Sequence, residues 1–412
     1  MMFFANILML NLLVIYFRAF MKKISFFILL LLIPLINSGL YMLGIVIIWF
    51  LFCLLLSYKE IIHTKLYIGD YFFLFILILY GIITIILKPY TLYSLKINTY
   101  LVSMIYISIV YIFISLLREF DYDYIVKIFR YYLIILAATI LLQWLTYFLT
   151  DDYIDFNKIF SFGESESRYT SLTFKTLGLI RPTAFFTEPS NASAIMTMIT
   201  FCYLYLIKKI DRYVILGFIV SILTLSTAGV LIGSASLGIS LLFYSNKSKL
   251  RTILFKTLII SLCLIFIFYT ILFSLERINN TSEYNMVATR TVVANIIQNQ
   301  SWYNHLIGNG INILSSPIVI DGYDVYDYSF RDSGFFINLY YSFGLIGFVL
   351  FILWARLKIK NNIHLLIFFI ILQSKFDYLQ PVFWLLIFTI SILNEKKLNH
   401  HGSIYSNTKL SY

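Results

Sequence analysis

Residues 40–57, "LYMLGIVIIWFLFCLLLS", form an unbroken apolar run, and runs of this kind recur along the whole chain. A helix needs about 17 to 25 such residues to cross roughly 30 Å of hydrocarbon while satisfying its own backbone polar groups. Crossings are expected near 24–36, 40–57, 70–87, 100–117, 131–149, 191–207, 213–227, 229–244, 257–274, 334–354, 363–374 and 381–393. Composition excludes the alternative of a soluble globule, because 60% of the 412 residues are hydrophobic, 12% are charged and the mean hydropathy is +0.87. The short alternating segments of a membrane β-barrel are absent. The expectation is an all-α, polytopic integral membrane protein with about twelve transmembrane helices and two long outward-facing loops.

Orientation follows from Lys and Arg in the short loops. With Lys22 and Lys23 placed in the cytosol, the inward loops carry nineteen basic residues, among them Lys59, Arg118, Arg130, Lys208, Lys249 and Arg356. The outward segments are longer and hold ten, including Lys375. The net charge of +11 is therefore accounted for by residues flanking membrane segments, and membrane lipids rather than nucleic acid are the expected contacts. Cys53, Cys202 and Cys263 all lie inside apolar runs, which suits packing and neither a disulfide framework nor a zinc site.

Residues 1–20 are apolar and would force the N-terminus outward if they crossed, so they read as an extra segment or as a mis-called start ahead of Met21. Residues 21–412 form one membrane domain, with N- and C-termini cytosolic when counted from Met21. Its long outward loops, 150–190 and 275–333, are where function is expected.

The first of these loops ends in "RPTAFFTEPSNAS" (181–193), which places Arg181, Glu188 and Pro189 at the lip of an apolar segment. A Glu before a Pro is explained by helix capping and the helix dipole alone. Arginine near hydrocarbon needs a partner, and its planar fork of donors suits phosphate oxygens. The second loop carries Arg290, the "NHLIGNGIN" stretch with His305, Gly308 and Gly310, and then "RDSGFFINLYYSFGLIGF", which begins at Arg331 and Asp332. Gly308, Gly310, Gly344 and Gly347 read most simply as turn and helix-packing glycines. Asp121-Tyr122-Asp123 matches the D-x-D of metal-dependent glycosyltransferases but lies in an inward loop too short to hold a nucleotide-sugar domain.

Together these stretches resemble the O-antigen polymerase and O-antigen ligase superfamily of bacterial surface-polysaccharide assembly. The resemblance rests on R-P-x-A-x-F-x-E-P-x-x-A (Arg181 to Ala192), G-x-G (Gly308, Gly310) and a polar residue ahead of G-F-x-x-x-L-x-x-x-x-G-x-x-G (Gly334 to Gly347). It covers residues 130–350 by motif and the whole chain by topology. It implies a glycosyltransferase of the plasma membrane, the inner membrane in a Gram-negative cell. Such an enzyme moves a growing glycan from undecaprenyl pyrophosphate to the next lipid-linked repeat unit, with a chain-length regulator and a flippase as implied partners. Related ligases carry a histidine where this chain has Asp332 and Ser333, which favours a polymerase of O-antigen, capsule or exopolysaccharide over a ligase.

No cofactor and no metal are expected. Displacing a sugar from pyrophosphate needs charge stabilisation of the leaving group and a base for the attacking hydroxyl. Arg181, Arg290 and Arg331 are the candidate pyrophosphate clamp, and Asp332 is the expected base. Glu188 is expected chiefly to hold Arg181, and Glu188 and His305 are the alternative catalytic bases, His305 also reading as a structural hydrogen-bonding residue. Asp321, Asp324 and Asp327, spaced among tyrosines, are candidate acceptor-sugar contacts. A flippase or other transporter is the competing class, disfavoured because transporters concentrate polar residues in broken midplane helices.

Overall fold

Pro189 opens a 19-residue helix in which every side chain from Ala192 to Leu206 is buried, and the rest of the fold is arranged around it. The protein is seen here as a computed structural model that describes residues 2–36, 40–63, 75–76, 78–83, 97–170, 178–243, 286–311, 318–320, 323–325 and 327–393, with scattered positions between 257 and 268. Before the central helix come α1 (Met2–Leu32), α2 (Leu40–Leu56), α3 (Ile97–Leu117) and α4 (Tyr122–Thr150); the central helix is α5 (Pro189–Ile207). It is followed by α6 (Arg212–Leu223), α7 (Thr227–Phe243), α8 (Met286–Gln298) and α9 (Trp302–Ile307). A hairpin of β1 (Ile318–Ile320) and β2 (Tyr323–Val325) then leads to α10 (Asp327–Asp332), α11 (Phe335–Lys358), α12 (Asn362–Ile371) and α13 (Pro381–Phe388).

Helix α5 packs against α4, α6, α7, α12 and α13. Small side chains allow this crowding. A Cβ added to Gly217 of α6 would lie 2.1 Å from Thr200 Oγ1, and one added to Gly229 of α7 would lie 2.6 Å from Ser193 Cβ. Close approach at small residues is the usual means of helix association where lipid supplies no hydrophobic drive. The hydroxyls find partners inside the bundle: Thr197 and Thr200 bond back to the carbonyls of Ser193 and Met196, and Ser193 Oγ meets Ser226 Oγ at 2.9 Å.

The lipid-facing helices differ in character. After its midpoint α11 exposes Leu345, Ile346, Val349, Leu350, Leu353 and Leu357, an apolar stripe at helical spacing that water would penalise and a bilayer would not. Residues 100–117, α4, α5 and α11 are each long and apolar enough to cross a membrane, and the chain is a multi-pass membrane protein.

The twelve crossings expected are not all matched. Those drawn near 213–227, 363–374 and 381–393 are α6 (12 residues), α12 (10) and α13 (8, continued by a π turn at Thr389–Leu393). At 1.5 Å per residue each of these helices spans about 12–18 Å, roughly half of a hydrocarbon core. Helices α2 and α7, at 17 residues each, lie at the lower limit for a crossing, and the crossings near 70–87 and 257–274 lie largely outside the described residues. Helix α1 runs through Met21 without a break. Arg18 Nη2 donates to Leu56 O at 3.2 Å and Lys22 pairs with Glu60 at 2.8 Å, tying that part of α1 to the end of α2 and the following turn. The antiparallel β1–β2 hairpin, with Ile318 opposite Val325, is a small departure from the all-α expectation.

Helix α11 is broken at Gly344, whose φ of 63° and ψ of −166° interrupt the i→i−4 ladder. The carbonyls freed one turn earlier are taken up from outside: Asn309 N donates to Tyr341 O at 2.8 Å and Gly310 N to Ser342 O at 3.0 Å. The approach is so tight that a Cβ on Gly308 would lie 2.2 Å from Ser342 O, and one on Gly344 would lie 2.4 Å from Leu306 O. These glycines thus build the junction between the turn after α9 and the kink. Gly344→Ala should lower the thermal midpoint of the purified protein, since the left-handed backbone alone costs about 1–3 kcal/mol and the added methyl has no room. A parental midpoint for that variant would mean that the kink is not needed for the packing described.

Candidate functional site

Three segments far apart in sequence meet at one end of α5. The first is the loop between α4 and α5, which is tightly built. Gln143 of α4, fully buried, donates to Ile154 O at 3.0 Å and Ala184 O at 3.3 Å while accepting from Ala184 N at 2.9 Å. It thereby satisfies a residue held at a left-handed φ of 49°. The two halves of the loop are joined through Arg168 N to Thr187 O (2.7 Å) and Arg181 N to Tyr169 O (2.8 Å). Tyr153 stacks on Tyr169 with centroids 3.9 Å apart and bonds Thr183 Oγ1 at 2.8 Å. This loop delivers Arg168 and Glu188 side by side.

Glu188 occupies the N-cap position of α5, with φ −131° and ψ 145°, yet its side chain makes no capping bond. Its oxygens go to Arg168 Nη1 (3.1 Å), Lys375 Nζ (3.0 Å) and Ser190 Oγ (3.1 Å). The explanation by capping alone is therefore insufficient. The expected pairing with Arg181 gives way to Arg168 and Lys375, because the turn at Ala184 separates Arg181 from Glu188 while Arg168 lies alongside Thr187. Burial by itself would raise the Glu188 carboxyl pKa, but Lys375, as a nearby charge and as a hydrogen-bond donor, together with Ser190 and Arg168, outweighs it and holds the group below its ordinary value of 4.5.

The second segment is α10 and the start of α11. Phe330, fully buried, stacks on Tyr341 at 4.1 Å and packs with Val292 and Val293 of α8. This small apolar cluster docks α8 beside α10. It brings Arg290 Nη2 to within 3.3 Å of Asp332 O, while Arg331 Nε lies 3.4 Å from Asp332 Oδ1.

The third segment is the turn from Leu372 to Gln380 between the short helices α12 and α13. Its backbone is anchored by buried Phe376 and Tyr378; Tyr378 OH meets Ser342 Oγ at 2.7 Å and Tyr378 O accepts from Trp384 Nε1 at 2.6 Å. From this anchored turn Lys375 extends its ammonium between two carboxylates, 3.0 Å from Glu188 Oε2 and 3.1 Å from Asp332 Oδ2. The Lys375 side chain is 20% exposed, Glu188 26% and Asp332 21%, whereas Arg168 at 79% lies on the rim.

Among the described residues, four cations gather about two carboxylates: Lys375 and Arg331 are half-buried, Arg168 and Arg290 lie at the exposed rim, and Arg290 reaches Asp332 through its backbone carbonyl, so these six side chains carry two more positive charges than negative. Such a site suits a doubly charged anion. Of the residues singled out from sequence, Glu188, Asp332, Arg290 and Arg331 come together here. Arg181 is half-buried in the adjoining loop. His305 bonds Gln300 and Tyr340 through Nδ1 at 3.0 and 2.7 Å, which fits a structural role. Asp321 lies outside the described residues; Asp324 is on β2 opposite Val319, and Asp327 begins α10.

Lys375 and Arg168 were missed as site residues. Lys375 did carry a signal, an isolated cation between two strongly apolar runs, which is rarely left without a function. Arg168 sits in a polar loop and gave none.

Two expectations follow. Gln143→Ala should destabilise the protein by about 1–3 kcal/mol, because it strands the buried polar groups of Ala184, whereas Ala184→Gly should be neutral or stabilising at that φ; thermal midpoints in detergent measure both, and the opposite order would refute the clamp. The lowered Glu188 pKa means its ion pairs contribute fully above the ordinary value and are lost as pH falls through the lower folded value. The thermal midpoint of the parent should therefore fall more steeply below pH 4.5 than that of Glu188→Gln, and parallel curves would count against the pairing.

Comparison with protein-family models, with curated proteins and with solved structures found no match to this chain.

Proposed function

We propose that the chain is a polysaccharide repeat-unit polymerase of the bacterial plasma membrane, with the charged cluster on the outer face. The cluster's net positive charge beside a carboxylate is the observation that carries this reading. Its donor is a glycan on undecaprenyl pyrophosphate and its acceptor the next lipid-linked repeat unit. The acceptor hydroxyl oxygen bonds to the anomeric carbon as the carbon–oxygen bond to pyrophosphate breaks. Undecaprenyl pyrophosphate leaves with the electron pair, and the hydroxyl proton passes to Asp332. A single displacement of this kind inverts the anomeric centre. Arg331 and Arg290 flank Asp332 and are placed to stabilise the leaving group, whose charge grows as the bond breaks. The exposed apolar stripe of α11 supports a bilayer setting for a substrate with a polyprenyl tail.

Deleting the chain should leave single lipid-linked repeat units and no long glycan at the cell surface. Restoring it as Asp332→Asn, at normal expression, should return polymer about 10² to 10⁴ times more slowly than the parent. Long chains stranded on undecaprenyl pyrophosphate would identify a ligase instead, and unchanged surface glycan after deletion would refute the proposal.

A further inference from the structure

Lys375 touches both carboxylates of the cluster, and nothing in the transfer chemistry above has yet used it. An ammonium carries three donors, of which two are directed at Glu188 Oε2 and Asp332 Oδ2 at 3.0 and 3.1 Å. Both Asp332 oxygens consequently face cations, Oδ2 toward Lys375 and Oδ1 toward Arg331. A carboxylate so engaged cannot accept a proton along the direction of Oδ2 until the ammonium moves. The backbone beneath Lys375 is pinned by buried Phe376 and Tyr378, so movement is confined to the four-carbon stem. Lysine is suited to such movement: it is a compact point charge on a flexible chain, whereas an arginine fork would be committed to one bidentate geometry.

We propose that Lys375 is a pyrophosphate-binding residue that works by exchange: its ammonium leaves Glu188 and Asp332 for the anion of an isoprenyl pyrophosphate, and in doing so frees Asp332 Oδ2. The inference rests on the reading of the site as one for a lipid pyrophosphate. It makes the two carboxylates competitors of the ligand. Glu188 and Asp332 hold the lysine in place, and the pyrophosphate anion displaces them because Arg331 and Arg290 act on it from the other side. Proton acceptance by Asp332 is thereby tied to the presence of the donor.

The test uses the full chain purified in detergent micelles, with farnesyl pyrophosphate as the probe and affinity read from the ligand-dependent rise in thermal midpoint. Asp332→Asn should bind about threefold more tightly or better, because the lysine has one carboxylate fewer to leave. Lys375→Met should bind at least about tenfold more weakly, and adding Asp332→Asn to it should bring no gain. Lys375→Met leaves two carboxylates facing each other, so Lys375→Met/Glu188→Gln carries the same comparison if the single variant does not fold. Lys360→Met, in the turn that follows the far end of α11, serves as the control and should bind as the parent does. Weaker binding by Asp332→Asn, or a gain from it of the same size in the presence and absence of Lys375, would overturn the exchange. Unchanged binding by Lys375→Met would overturn the role of Lys375 while leaving the pyrophosphate site standing. Failure of the parent itself to bind would overturn both the inference and the reading on which it rests.

Discussion

The rest of the site depends on one ammonium shared by two carboxylates. Taking three charges out of water is costly, and the cost is recovered only if each charge keeps its partners. Removing Lys375 would leave Glu188 and Asp332 with like charge across a half-buried gap, whereas removing either acid leaves the other to hold the lysine. The interaction also ties together three parts of the chain: the head of α5, the end of α10, and the turn between the short helices α12 and α13. The brevity of α12 sets where that turn lies, and the buried residues around it keep its polar backbone away from hydrocarbon.

Much of this architecture was legible in the sequence because its causes are local. The apolar runs at 100–117, 131–149, 191–207 and 334–354 became long helices, and Pro189 opens α5 as its fixed φ favours. The glycines of "IGNGI" and Gly344 read as structural elements and are found at a backbone-to-backbone contact. Hydropathy alone says less about length. Runs at 213–227 and 363–374 have the composition of membrane segments, and the helices found there end at Leu223 and Ile371, shorter than a bilayer core is thick. Hydropathy cannot tell the apolar environment of lipid from that of a neighbouring helix.

The site was legible in part for the same reason. Glu188, Arg331 and Asp332 stood out as charges bordering apolar segments and Arg290 as an arginine of the second long loop, and all four lie at the cluster. The partnership of Glu188 was misread because Arg181 is near in sequence, while the partners that hold the carboxylate are 20 and 187 residues away. Position along a chain is a poor guide to pairing once a loop reverses, as this one does at Ala184. A charge count along the sequence identifies which end of the bundle is polar, and only the fold shows which ion meets which.

The order in which the three segments are synthesised has its own consequence. Chains enter the membrane from the N-terminus, and parts made early fold while the remainder is still on the ribosome. Glu188 therefore arrives with Arg168 as its partner, and Asp332 later arrives with Arg331, each acid provisionally compensated by an arginine from its own neighbourhood. Lys375 comes from the last loop described, after α11 and α12 have been made. Until then the two halves of the cluster have no common ion and are free to adjust their positions. Closure of the site is thus a late event in biogenesis, and a chain truncated before residue 375 would contain the four described helices that are long and apolar enough to cross a membrane without the ion that joins its charged groups.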